Sequence, residues 1–162
     1  MNEALVQRGK QWLEDLMQLM SLPTQVDVHD RVEAEGSYWL TISDTSFTPE
    51  QTQSIIGKDG AVLDAIQYLA NTTLNLGQAE GSQQAYTIEL AGYRVRRQAE
   101  LQAIADQAAQ QVRETGNEYE MKALSAAERR QVHTYLKTFG DLETESRGRE
   151  PDRRLVVRLA LS

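Results

Sequence analysis

Two short stretches of this 162-residue chain carry side chains whose types and spacing suit the holding of phosphate groups. In the first, Gly57-Lys58-Asp59-Gly60, a glycine stands at either end of a two-residue turn. Glycine at both positions lets a sugar-phosphate backbone approach without meeting a Cβ. A helix starting just after it would present unpaired amides and a partial positive charge, and Lys58 adds a full one. Taken alone, the same pattern also marks an ordinary helix stop followed by a turn. In the second stretch Arg129 and His133 stand four residues apart, on one face of a helix. There Arg129 can grip a phosphate with two donors and His133 can donate or stack. A solvated arginine beside a histidine tucked near the core would have the same spacing.

Other chemistries find little support. The chain has no cysteine, which removes disulfides, thiolate metal sites and cysteine nucleophiles, and permits a reducing compartment. His29 and His133 are the only histidines and neither is spaced with a second metal ligand, so no metal and no cofactor is expected. Neither a Walker motif nor a Gly-x-Ser-x-Gly elbow occurs, and the expectation is a protein that is not an enzyme. Gln7, Arg8, Lys10, Glu14 and Asp15 interrupt the N-terminus well before the roughly 20 apolar residues of a membrane span, so the expected location is the cytoplasm, without membrane contact.

Overall charge is -7, which argues against a polyanionic partner, but the charge is unevenly spread. Residues 1–92 hold four Lys or Arg against 13 Asp or Glu, giving -9, whereas residues 93–162 hold 13 against 11, giving +2.

The elements that must position both motifs follow from periodicity. Leu5, Trp12, Leu13, Leu16, Met17 and Met20 recur at helical spacing, and Pro23 closes that segment. Val26, Val28, Val32 and Ala34 alternate with polar residues as a strand, Gly36-Ser37 turns the chain, and Tyr38, Leu40 and Ile42 form the second arm of a hairpin. Thr48-Pro49-Glu50-Gln51 supplies an N-cap, a proline at the first helical position and a capping-box glutamine for a short helix to about Ile56. After the glycine turn, Val62, Leu63, Ile66, Leu69, Ala70 and Leu74 share one side of another helix, and Tyr86, Ile88 and Leu90 alternate as a strand. A long helix then opens after Tyr93, with Leu101, Ile104, Ala108 and Val112 on its apolar face and Gly116 at its end. A short strand around Tyr119 to Leu124, a helix capped by Ser125-x-x-Glu128, and a strand pair, Leu142 to Ser146 and Arg153 to Leu161, complete a second small unit. Trp12, Trp39, Tyr38, Tyr86 and Tyr93 are expected to pack inside rather than stack on bases.

The stretch Ile55-Ile56-Gly57-Lys58-Asp59-Gly60-Ala61-Val62-Leu63, continuing to Leu69, resembles the KH domain of the bacterial Jag family, also called KhpB or SpoIIIJ-associated proteins. Met121-Lys122-Ala123-Leu124-Ser125-Ala126-Ala127-Glu128-Arg129-Arg130-Gln131-Val132-His133 resembles the R-three-H domain of the same family. Its final hairpin is matched by Thr144-Glu145-Ser146-Arg147-Gly148-Arg149-Glu150-Pro151-Asp152-Arg153-Arg154, and the start of its long helix by Gly92-Tyr93-Arg94-Val95-Arg96-Arg97. The resemblance spans roughly residues 50 to 162 and implies an α+β fold: a type II KH domain, helices on a three-stranded sheet, at 1–92, and a small α/β R-three-H domain at 93–162. The N-terminal Jag domain of many members is expected to be absent, because the first helix begins almost at Met1.

The function implied is binding of single-stranded RNA with low sequence specificity, in post-transcriptional regulation, with single-stranded DNA as an alternative ligand. Arg129 and His133 would act first, with Arg130, Lys137, Arg147, Arg149, Arg153 and Arg154 on the backbone, and Gly57, Lys58, Asp59 and Gly60 as a second contact. Asp59 replaces the basic residue many such loops carry, and it is expected to cap the following helix and weaken that contact. Ile55, Ile56, Val62, Leu63 and Ile66 are candidates for an adjoining groove for bases. Glu143, Glu145, Glu150 and Asp152 interleave with the hairpin arginines, so a salt-bridged loop is equally open. A protein-interaction adaptor, with the acidic half meeting another KH chain or its own copy, is the rival reading.

Overall fold

The computed structural model describes residues 3–30, 37–79 and 81–160. The chain is mixed α+β and divides into two compact units, Met1–Arg94 and Val95–Ser162. The first contains α1 (Glu3–Leu19), β1 (Val26–Asp30), β2 (Tyr38–Ile42), α2 (Pro49–Ile56), a single 3-10 turn (Lys58–Gly60), α3 (Ala61–Asn75) and β3 (Tyr86–Leu90). β1 pairs antiparallel with β2, Val28 opposite Leu40, and β2 pairs parallel with β3, Leu40 opposite Ile88. A parallel pair needs a long crossover, which α2 and α3 provide. The expected continuation of β1 through Val32 and Ala34, and the turn at Gly36, lie outside the described residues, as does Leu161.

Leu13, Met17, Val26, Leu40, Leu63, Ala70 and Ile88 are fully enclosed in the first core. The inward line of α1 is Val6, Gly9, Leu13 and Met17, whereas Met20, expected inside, is exposed. Gly9 is in that line because a Cβ there would stand 2.6 Å from Tyr86 Cε1; the Tyr86 hydroxyl donates to Leu5 O. On α3 the buried line is Leu63, Ile66, Ala70 and Leu74, and the expected Val62 and Leu69 face solvent.

The polar residues of α3 have their own function. Gln67, Asn71 and Asn75, each one turn apart, line the side of β3 that has no strand neighbour. Asn75 exchanges two hydrogen bonds with the backbone of Gln84, both 2.8 Å, and Asn71 does the same with Tyr86 at 2.8 and 2.9 Å. Gln67 Oε1 accepts from Ile88 N at 3.0 Å, and Arg94 Nε donates to Ile88 O at 3.1 Å. Arg94 also bridges to Asp64 and Gln67, tying the first turn of the next helix to α3. Asn71→Leu should therefore strand the Tyr86 amide and carbonyl and cost roughly 1–3 kcal/mol. Amide exchange at Tyr86 should accelerate in step with the fall in urea stability; unchanged protection there would contradict the ladder.

The second unit contains most of α4 (Tyr93–Thr115), then β4 (Tyr119–Met121), α5 (Ala126–Leu136), β5 (Leu142–Arg147) and β6 (Arg154–Leu159). Its sheet is antiparallel with β6 in the centre, Glu145 opposite Val156 and Met121 opposite Leu155. Leu101, Ala105, Ala108, Ala109 and Val112 of α4 pack with Val132, Leu136, Leu142, Leu155 and Val157. Ile104, expected on that face, is partly exposed, and the alanines beside it take the inward positions.

Candidate nucleic-acid interface

α2 begins as its sequence dictates. The Thr48 hydroxyl accepts from Gln51 N while Gln51 Oε1 accepts from Thr48 N, and Pro49 fills the position that needs no amide donor. The helix stops at Gly57, with φ 75°, and Gly60, with φ 79°, leads into α3. Both glycines are required by the protein's own packing. A Cβ on Gly57 would lie 2.8 Å from Val62 N, and one on Gly60 would lie 2.6 Å from Tyr93 Cε1.

Lys58 is exposed at the tip. Asp59 is exposed as well, in the left-handed region at φ 53° and ψ 27°. It does not cap α3: the N-cap is Gly60, and no side chain bonds to the cap. The expected base groove also needs correction, because Ile55, Ile56, Leu63 and Ile66 are all buried in the first core and only Val62 of that set is exposed. Residues on the sheet-facing side of two packed helices cannot also line an open groove.

In the second unit α5 opens with a reciprocal cap, Ser125 accepting from Glu128 N and Glu128 accepting from Ser125 N. Glu128 is further fixed by Arg97 Nε at 2.7 Å. This cap sets the phase of the helix, which turns Arg129 inward. Arg129 is only 5% exposed, its Nη1 donating to Leu124 O at 2.7 Å and to Arg153 O at 3.3 Å, and its Nη2 to the Glu150 carboxylate. His133, one turn on and half-buried, meets the Thr144 hydroxyl of β5 through Nδ1. The pair does share a face, as spacing required, but that face is directed at the β5–β6 hairpin rather than presented freely to solvent.

The hairpin arginines divide into two groups. Arg147 bonds to both oxygens of Glu118, at 2.6 and 2.9 Å, and to Glu145; Arg154 bonds to Glu120 at 2.8 Å; Arg158 bonds to Glu143 at 3.1 Å. Hydrogen bonds donated by Arg147 hold the Glu118 carboxyl below its ordinary range, and donating to Glu118 and Glu145 raises Arg147. Such exposed pairs contribute little stability, so they are exchangeable with other anions. By contrast Arg130 on α5, Lys137 at its C-cap, and Arg149 and Arg153 in the β5–β6 turn, are exposed and have no ion-pair partner among the described residues. Lys122, between β4 and α5, joins them. Sequence reasoning passed over it although it lies in the motif stretch, because a lone loop lysine carries no spacing signal.

Arg129 thus joins α5, the segment before it and the hairpin turn, the three places where the unpaired cations are found. Part of this unit is similar to a known domain. Residues 99–159 match the R-three-H domain. The R-three-H match takes in β4, α5, β5 and β6 with most of α4, and so includes Arg129 and His133. The chain is also 26% identical over 158 residues to RNA-binding protein KhpB of Clostridium symbiosum, covering 97% of this chain and 67% of that protein. It is 32% identical over 122 residues to RNA-binding protein KhpB of Lactiplantibacillus plantarum, 75% of this chain and 36% of that one, and 25% identical over 154 residues to that of Bacillus subtilis, 94% and 69%. The resemblance to the Jag or KhpB family and to its R-three-H domain is found in these relatives and this match. Among the described residues no helix is long and apolar enough to cross a membrane, and no group of His, Asp and Glu could hold a metal ion.

Proposed function

We propose that this chain binds single-stranded RNA with low sequence specificity, as a cytoplasmic, non-enzymatic factor in post-transcriptional regulation. In this reading residues 1–92 form a type II KH domain and residues 93–162 the R-three-H domain. The parallel pairing of β2 with β3 and the helix, glycine turn, helix order of the first unit support the KH assignment. The observation that carries the function is the set of unpaired cations, Lys122, Arg130, Lys137, Arg149 and Arg153, on the elements that Arg129 joins within the R-three-H match. Three relatives that bear the name RNA-binding protein add to it. Lys58 at the exposed glycine turn would be a second contact.

Fluorescence anisotropy with an unstructured oligoribonucleotide across a salt series tests this. Several phosphate contacts should give a log K against log salt slope of roughly -2 to -4, at about -0.7 per contact on a single strand. Arg130→Ala with Lys137→Ala should make the slope shallower by about 1.4, two contacts' worth. No retention at low salt would reject the proposal, and a matched deoxyoligomer competing equally would favour DNA as well as RNA.

A second reading has its own support. The solvent side of α3, with Val62, Ala65, Tyr68 and Leu69, continues to Leu76 without a charged residue, although the unit around it is acidic. That face suits a protein partner, and an adaptor would form a salt-insensitive complex without RNA.

A further inference from the structure

We propose that Glu150 is an internal stand-in for phosphate: its carboxylate holds the place on Arg129 that a nucleic-acid phosphate takes, and the ligand binds by displacing it. This rests on the reading above and adds a gate to the same site. The Arg129 side chain is 6% exposed while that of Glu150 is 59% exposed, so the cation is fixed in the fold and the anion is the removable partner. Nη1 is committed to two backbone carbonyls, Leu124 O and Arg153 O, which fix the plane of the guanidinium. The remaining edge, Nε with Nη2, is a fork that can hold two oxygens of one phosphate. Glu150 engages it only through Nη2. Nε has no partner among the described residues, and none of their side-chain nitrogens is both buried and unpaired, so this N–H reaches solvent. A carboxylate therefore occupies half of a bidentate anion position.

The surroundings favour exchange. Glu150 sits in the β5–β6 turn, just after Gly148, whose φ is 91°, and between the unpaired Arg149 and Arg153. A polyanion drawn to those cations arrives where the carboxylate is held. When phosphate takes the Nε and Nη2 edge, Glu150 is released to water and acquires a counterion. That uptake offsets one of the counterions the nucleic acid gives up, so the gate lowers both the affinity and its salt dependence.

Glu150→Gln removes the competing charge and keeps the shape. It should tighten binding of the oligoribonucleotide by about fivefold and steepen the salt slope by about 0.7. The gain should vanish in the Arg129→Gln, Glu150→Gln double variant. Glu150→Asp, which keeps the charge on a shorter arm, should fall between wild type and Glu150→Gln, and it carries the test if the glutamine variant unfolds. Inorganic phosphate followed at the Arg129 Nε–Hε resonance reads the gate without RNA. Saturable shifts in Glu150→Gln and none in wild type at the same concentration support it, even if neither protein binds RNA, an outcome that would sink the RNA reading alone. A folded Glu150→Gln or Glu150→Asp protein that binds RNA no tighter than wild type, with Arg129 Nε unmoved by phosphate, overturns the gate and leaves RNA binding standing.

Discussion

Replacing Arg129 by methionine should destabilise the second unit by about 2–4 kcal/mol, while replacing Arg130 by alanine should change stability by less than about 0.5 kcal/mol. The two arginines are adjacent in sequence and opposite in environment. Arg129 is buried and donates to Leu124 O and Arg153 O, so it bonds α5 to the segment before it and to the turn that leads into β6. Methionine fills the volume but leaves Leu124 O without its donor and Glu150 without its cation. Because Glu150 is more than half exposed, the ion pair itself contributes little, and the lost charge-assisted bonds to the two carbonyls carry most of the cost. For a unit of this size the thermal midpoint should fall by about 4–8 °C per kcal/mol. A methionine variant melting with wild type would mean that the buried guanidinium is not part of the folded structure in solution. Loss of RNA retention on changing Arg129 is interpretable only where the variant is shown to be folded.

Gly60→Ala should destabilise the first unit by about 2–5 kcal/mol, from two additive causes. At φ 79° an alanine pays the left-handed penalty of about 1–2 kcal/mol. Its Cβ would also overlap the Tyr93 ring, within 2.7 Å of Cζ, and overpacking of that kind costs about 1–3 kcal/mol. Asp59→Gly, at the neighbouring position with φ 53°, should stay within about 1 kcal/mol of wild type, because relief of strain offsets the added chain entropy. Urea midpoints of the three proteins separate these contributions. Equal midpoints for Gly60→Ala and wild type would remove Tyr93 from the turn and return the glycine to a purely ligand-related role.

Much of this architecture was legible in the residues because it is locally encoded. Thr48-Pro49-Glu50-Gln51 and Ser125-x-x-Glu128 each specify a cap by chemistry confined to four residues, and both form as written. Alternation at Tyr86, Ile88 and Leu90 marks a strand, and these three residues are buried. What could not be read depends on contacts distant in sequence. Spacing places Arg129 and His133 on one face but cannot say that Glu150, Arg153 and Thr144 lie against it. The Gln67, Asn71 and Asn75 series reads as a polar stripe until β3 is laid beside it. Ile55 and Ile56 suit a groove or a core equally by composition, and only the packing of α2 and α3 on the sheet assigns them to the core. Likewise a free arginine and a salt-bridged one look the same in a hairpin rich in both charges.

The amides lent by α3 to β3 also bear on self-association. A sheet grows edge to edge, and here one border is already satisfied at Gln84, Tyr86 and Ile88. Among the described residues strand addition is left to the β1 border, where Val26 N at the start of the strand already donates to Glu14 Oε1 at 3.0 Å. A second copy paired there would extend this sheet to six strands with a covered β3 at each outer end, a geometry that favours a pair over a growing sheet.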